Sequence, residues 1–261
     1  MRIGVLSDLH CELEPSGSRW INVFEPERLD ERTDAALAWF ADARVDLILL
    51  LGDVVQFANT SDLEHMFARL AAAEVAPVAT VGGNHDLRLG DEFAESARVH
   101  GIRLLDEEPF EAVAGVGIGR GAAPPQYVGR LGDRAGARDL GVVASHFPLL
   151  SEASRVAAAG LPYAGDLVNR GDLERELRSE GRPQLVLSGH IHARCSRHDG
   201  PLLQLTVGAL IEPPFDATLV EVDGTTVRRT ARRLGEVAVT DPVFAPDEER
   251  WEWADGAWSA A

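Results

Sequence analysis

The chain alternates apolar runs with short clusters of metal-binding side chains, five times in one fixed order. The clusters are Asp8-Leu-His10, Gly52-Asp53, Gly83-Asn84-His85-Asp86, His146, and Gly189-His190-Ile191-His192. The runs before them, Ile3–Ser7, Val45–Leu51, Pro77–Val81, Leu140–Ala144 and Gln184–Leu187, read as β-strands. A run such as Val45–Leu51, apolar apart from Asp46, marks a strand buried on both faces. Helical spacing fills the intervals at Thr33–Ala43, Ser61–Ala73 and Glu92–His100. The first half therefore reads β-loop-α-β-loop-α-β, which predicts an α/β fold with a parallel sheet and crossover helices. In such sheets ligands collect beyond the carboxyl ends of the strands, where Asp8, Asp53 and Asn84 fall.

Other segments are read in the same way. Residues 11–31 are polar, carry Pro15, Gly17 and Pro26, and predict a long loop. Ser61 with Glu64 three residues on is a capping-box pattern. Strands are expected at Ile102–Leu105, Phe110–Ile118, Leu202–Val207 and Thr218–Val222, and a helix at Asp172–Ser179. Asp223-Gly224 predicts a hairpin turn into Thr225–Thr230. The glycines at 115, 117, 119 and 121 resemble a dinucleotide loop. They lead into Pro124-Pro125 and not into the helix N-terminus that a phosphate cradle needs, which argues against that use. With no repeat or linker, residues 1–240 form one domain. The tail 241–261 carries Trp251, Trp253 and Trp258 and is expected to pack on that domain or at a subunit interface.

Length allows one large α/β core. The formal net charge of −17 repels polyanions, so neither nucleic acid nor an anionic membrane is an expected partner. A small phosphorylated substrate is still accepted where cations invert the local potential. There is no lysine, and Cys11 and Cys195 are the only cysteines. Two thiols make no disulfide framework and suit a reducing compartment. The first strand begins almost at Met1, leaving no space for a secretory leader, and no apolar stretch approaches the ~20 residues of a membrane helix. A cytoplasmic, soluble protein is expected, with homo-oligomerisation left open.

The clusters carry a consistent chemistry. Asp8 and His10 are two apart at a strand end, so their side chains share a side, as do those of His190 and His192. The two oxygens of Asp53 can bridge two ions. Asn84 offers a neutral amide oxygen, which trims the negative charge of the site. Together they read as a two-metal hydrolytic site.

The motifs D-x-H, G-D, G-N-H-D, a lone H and G-H-x-H, in this order over residues 8–192, resemble the calcineurin-like metallophosphoesterase superfamily. The resemblance implies a four-layer αββα sandwich of two mixed β-sheets flanked by helices. It implies that Asp8, His10, Asp53 and His192 hold one ion, and that Asp53, Asn84, His146 and His190 hold the other. A shared hydroxide would attack phosphorus, with attacking and leaving oxygens clamped in line. His85 would donate a proton to the leaving oxygen. Asp86 either orients His85 or caps the next segment. Asn84, His85, Gln56 and Arg88 are candidate substrate contacts, with Phe57 beside them. Mixed nitrogen and oxygen donors suit two ions such as Mn, Fe or Zn.

Departures from subfamily patterns narrow the reading. Gly52-Asp53-Val54-Val55-Gln56-Phe57 lacks the Asp-Arg pair of protein phosphatases. Gln56 also replaces the tyrosine of purple acid phosphatases and the histidine of repair nucleases. What remains resembles small bacterial phosphodiesterases and phosphatases, including class III cyclic-nucleotide phosphodiesterases. The substrate is then a small phosphodiester or phosphomonoester, chosen by loops 11–31 and 119–138. A nuclease and a non-catalytic metal-binding scaffold are the alternatives.

Overall fold

The computed structural model describes residues 1–105, 140–163, 165–167, 170–236 and 240–261, with the backbone of three short strands between 117 and 130. The expected strand 110–118, the glycine ladder and the loop 119–138 otherwise lie outside the described residues. The chain opens with β1 (Arg2–Leu6), α1 (Leu29–Ala43), β2 (Leu47–Leu50), α2 (Thr60–Ala72), β3 (Val78–Thr80), α3 (Asp91–Val99) and β4 (Arg103–Leu104). It continues with β5 (Gly117–Ile118), β6 (Gly121–Ala122), β7 (Val128–Arg130), β8 (Gly141–Ser145), α4 (Ala153–Ala158), α5 (Arg170–Ser179) and β9 (Gln184–Ser188). The last part is all strand: β10 (Cys195–Asp199), β11 (Leu202–Thr206), β12 (Asp216–Asp223), β13 (Thr226–Arg233), β14 (Glu248–Ala254) and β15 (Ala257–Ala260).

Two mixed sheets result. One has the order β15-β14-β13-β12-β1-β2-β3-β4, the other β10-β11-β9-β8-β7. β1 to β4 run parallel, and β12 turns the first sheet antiparallel by pairing with β1. β8, β9 and β11 form the parallel centre of the second sheet.

Strand alternation assigns the layers. Ile3 and Val5 of β1 with Leu49 of β2 face the second sheet, where Val142, Ala144, Leu185, Leu187, Leu203 and Leu205 meet them. Leu6, Ile48 and Leu50 face the other way, against Leu37 and Phe40 of α1 and Met66 and Phe67 of α2. Val143, Val186 and Leu202 turn outward onto Leu173 and Leu177 of α5. The order helix, sheet, sheet, helix is the four-layer sandwich that the motifs imply. Gly4 lacks a Cβ for a steric reason, since one there would stand 2.6 Å from the Phe40 ring.

Several boundaries differ from expectation. α1 starts at Leu29, four residues before Thr33, because a 3₁₀ turn at Pro26–Arg28 feeds into it. Ser61 is not the cap of α2: Asn59 accepts from the Ser61 N–H at 3.0 Å. Glu64 instead meets His100 at 2.7 Å. α4 and β10 were not foreseen. The hairpin loop is Gly224 and Thr225, with Asp223 paired to Thr226. The tail joins the first sheet, with β14 on β13 and β15 on β14. Trp251 and Trp258 are buried there. No helix among the described residues is long and apolar enough to cross a membrane.

Candidate metal centre

The five clusters come together where the carboxyl ends of β1, β2 and β3 meet those of β8 and β9. The backbone there leaves the ordinary strand conformation. Among the described residues nine non-glycine positions have positive φ, and five of them are Asp8, His10, Asp53, His190 and His192. Such conformations cost on the order of 1–3 kcal/mol each and persist where the surroundings enforce them. The paired side chains of Asp-x-His and His-x-His thus converge through left-handed kinks past the strand ends, rather than through strand alternation alone. The intervening Leu9 and Ile191 go into the core. Two motif glycines are required by the approach of these turns. A Cβ on Gly83 would stand 2.2 Å from Asp53 Oδ1, and one on Gly189 1.8 Å from Ser7 Oγ.

The donor atoms form two groups around Asp53. In the first, His10 Nε2 and His192 Nε2 are 3.0 Å apart, with Asp8 Oδ1 3.4 Å from His192 Nε2 and 3.9 Å from His10 Nε2. In the second, His146 Nε2 lies 3.2 Å from His190 Nδ1 and 3.2 Å from Asn84 Oδ1. Asp53 Oδ2 stands between them, 3.7 Å from His10 Nε2 and 3.3 Å from His146 Nε2.

Several of these side chains are held by the protein through their outer atoms. His146 Nδ1 donates to the Leu51 carbonyl at 2.7 Å, and His192 Nδ1 donates to Glu212 at 2.5 Å. Asp8 Oδ2 accepts from Ser7 Oγ at 2.7 Å and from the His190 N–H at 3.0 Å. Asp53 Oδ1 accepts from the His85 N–H at 2.8 Å. Asp8 Oδ1, which faces His10 and His192, is buried and has no hydrogen-bond partner. Buried polar atoms are normally satisfied. Facing nitrogens with unpaired carboxylate oxygen beside them fit cations, whose charge and coordination both groups lack. Each group includes three carboxylate or imidazole residues within mutual reach, Asp8-His10-His192 and Asp53-His146-His190.

Electrostatics agree with a cation-seeking site. Burial pulls His146 and His192 down, but Asp53 beside one and Asp8 beside the other outweigh it, raising them to about 9 and about 10. Burial dominates at His10 and His190, which fall to about 3. Burial would raise Asp8, yet His192 pulls it down to about 2. Asp53 is held well below the usual carboxylate range: burial opposes this, and His146 with its hydrogen bond prevails.

The other expected site residues fall in distinct places. His85 stands at the rim, half-buried, with its ring 4.7 Å from that of His10. Its Nδ1 donates to the Gln56 carbonyl at 2.6 Å. Asp86 is turned away from it and accepts from the N–H groups of Val54 at 2.9 Å, Val55 at 3.1 Å and Gly83 at 2.9 Å. Burial and then Asp53 push Asp86 up to about 7. The Gln56 side chain donates to Ser18 Oγ at 3.2 Å, tying it to the first loop. Arg88 is exposed on the 3₁₀ turn Asp86–Leu89, and Phe57 is 46% exposed. Cys11 and Cys195 are free and buried, and burial lifts both thiols to about 12. His65 pairs with Asp30, and the His198 ring packs on Trp251. Sequence reasoning missed Phe24, Phe147 and Glu212. Phe24 lies 5.1 Å from His10 and 5.8 Å from His192, while Phe147 lies 4.1 Å from His190. Each histidine pair is thus backed by one phenylalanine, and no motif marks either.

The sequence profile of the calcineurin-like phosphoesterase family matches residues 1–194. The chain belongs to that family of metal-dependent phosphoesterases. Among solved structures it resembles a dimetal phosphatase from Danio rerio, with a TM-score of 0.58 at 13% identity over 89% of this chain and 96% of that one. It is also similar to an archaeal phosphodiesterase, with a TM-score of 0.49 at 15% identity over 89% of this chain and 100% of that one. A third similar structure is a predicted phosphoesterase from Streptococcus pneumoniae, with a TM-score of 0.45 at 16% identity over 97% of each chain. Comparison with curated proteins gives no match.

Proposed function

We propose that this protein hydrolyses a small phosphodiester or phosphomonoester with two metal ions. The observation that carries the reading is the place of Asp53 Oδ2 between the His10 and His146 nitrogens, at 3.7 and 3.3 Å. One carboxylate oxygen there can serve both histidine pairs. Asp8, His10 and His192 complete one set of donors, and Asn84, His146 and His190 the other. Bound there, two ions of the Mn, Fe or Zn type supply an acidified water and offset the charge of the phosphoryl oxygens. His85 is anchored at Nδ1, so its Nε2 is free to hold a proton for the leaving oxygen. Asn84 and Gln56 line the approach, and Arg88 stands exposed on the 3₁₀ turn that follows, where it is a cation available to a substrate phosphate. Asp86 acts by stapling the Asp53 and Asn84 turns together through its three N–H bonds, not by touching substrate.

The net charge of −17 favours a small substrate over nucleic acid. The free cysteines fit a reducing compartment, so we place the protein in the cytoplasm. The test is a hydrolysis panel on protein stripped with chelator and replenished with Mn²⁺, Fe²⁺ or Zn²⁺. Bis-p-nitrophenyl phosphate, p-nitrophenyl phosphate and cyclic nucleotides make up the panel. Activity restored by metal on at least one substrate is expected. Equal activity in the stripped protein, or turnover of none, would overturn the proposal.

A further inference from the structure

Glu212 sits in the connection between β11 and β12, outside every metal-binding motif, and is fully buried. Its backbone surroundings are pinned to the site. The Leu210 N–H donates to Ser7 O at 3.1 Å, the Ile211 N–H to Asp8 O at 3.3 Å, and the Glu25 N–H to Ile211 O at 3.1 Å. The carboxylate therefore stands between the end of β1 and the loop that precedes α1. One oxygen, Oε1, accepts from His192 Nδ1 at 2.5 Å and from the Ile21 N–H at 3.4 Å. The other, Oε2, accepts from the Asn22 N–H. Asn22 in turn bonds Thr240 through both its side-chain atoms, at 3.0 and 3.3 Å. Two residues further on, Phe24 stacks on His192 at 5.8 Å.

We infer that Glu212 is a positioning residue that couples the loop 18–25 to one metal ion through His192. A carboxylate on Nδ1–H fixes the imidazole tautomer and ring angle, so that Nε2 faces the donors Asp8 and His10. The same carboxylate holds the backbone of the loop that lies over the site. Whatever fixes His192 fixes Glu212, and with it Ile21 and Asn22. The linkage is reciprocal, as any coupling between two bound states must be. Loop order and metal occupancy at this ion rise and fall together. The inference rests on the two-ion reading above.

Full-length wild type, Glu212→Ala and Glu212→Gln are titrated with Zn²⁺ against a chromophoric chelator, and amide exchange is followed at Ile21 and Asn22. In Glu212→Ala one of two equivalents is expected to weaken about 10–100-fold, the usual effect of losing such a partner, while the other keeps wild-type affinity. Glu212→Gln retains an acceptor for His192 but sets an NH₂ against the Asn22 N–H. It is expected to lose less metal affinity and to keep Ile21 protected, while exchanging at Asn22 as fast as Glu212→Ala. In wild type, protection of these two amides is expected to rise with one metal equivalent and not the other. That readout needs no variant to fold. Unchanged affinity for both ions in Glu212→Ala, an equal loss at both, or exchange in wild type that ignores metal would each overturn the inference alone. A wild type that binds no metal would overturn the two-ion reading as well.

Discussion

His146 and His192 carry protons that a bound cation has to displace. Asp53 and Asp8 raise them to about 9 and about 10, whereas His10 and His190, at about 3, are already neutral. A raised histidine is protonated below its folded value, so at pH 7 both hold a proton in the metal-free protein. Ligation needs the neutral ring. Metal loading at pH 7 is therefore expected to release protons, from the two rings and from the water that the ions acidify, and affinity to climb with pH until 9–10. Calorimetry in buffers of different protonation enthalpy measures this, and uptake without proton release would contradict it. His85 differs in kind, because it stands at the rim beside the donors. His85→Ala is expected to keep its metal but lose about 10²–10⁴-fold in rate, most with poor leaving groups. Steady-state rates over a leaving-group series check it, and an unchanged rate would remove His85 from the reaction. At this scale the sequence was largely legible. The residues that the fold brings together fall in compact motifs, so the sequence marks them before the fold is known. Glu212 was not legible, because a single glutamate before Pro213 carries no pattern until the fold closes it onto His192. Asp86 was legible as a site residue, but its hydrogen bonds run to the Val54, Val55 and Gly83 amides instead of His85.

The elements were readable where apolar periodicity was strong. β1, β2, β3, β8, β9 and β11 are runs buried on both faces, and their type and place follow from that alone. β10 escaped notice because it is an edge strand of mostly exposed polar residues, Ser196 to Asp199. α4 has six residues, too few to show a helical period. Helix ends depend on local hydrogen bonds that composition only suggests. Asn59 and Ser61 are both reasonable caps, and the structure chooses Asn59. Asn59→Ala is accordingly expected to destabilise the protein by about 0.5–2 kcal/mol, while Ser61→Ala has a smaller effect. Denaturant unfolding of both variants decides it, and the reverse order would move the cap back to Ser61. The tail illustrates the limit of composition. Its tryptophans had to be covered, but only the pairing of β14 with β13 and the Trp258 Nε1–H bond to Pro201 O at 2.9 Å say by what.

Across the whole molecule, two sheets packed face to face bring five strand ends to one place. No single element holds a complete set of donors. The site therefore exists only in the folded protein, and its strained left-handed turns at Asp8, His10, Asp53, His190 and His192 are held by the sandwich around them. The strongly acidic chain, at −17, adds a field that draws cations in and discourages large polyanions. Metal is thus expected to enter readily and to stabilise the fold that creates its site, as any ligand specific to the native state does. On the proposed reading, Asp53 joins two ions. Anomalous scattering from crystals grown with Mn²⁺ tests it most directly. Two peaks are expected roughly 3.5–4 Å apart, one against Asp8, His10 and His192, the other against Asn84, His146 and His190, both touching Asp53. A single peak, or peaks that leave Asp53 without a shared contact, would contradict it.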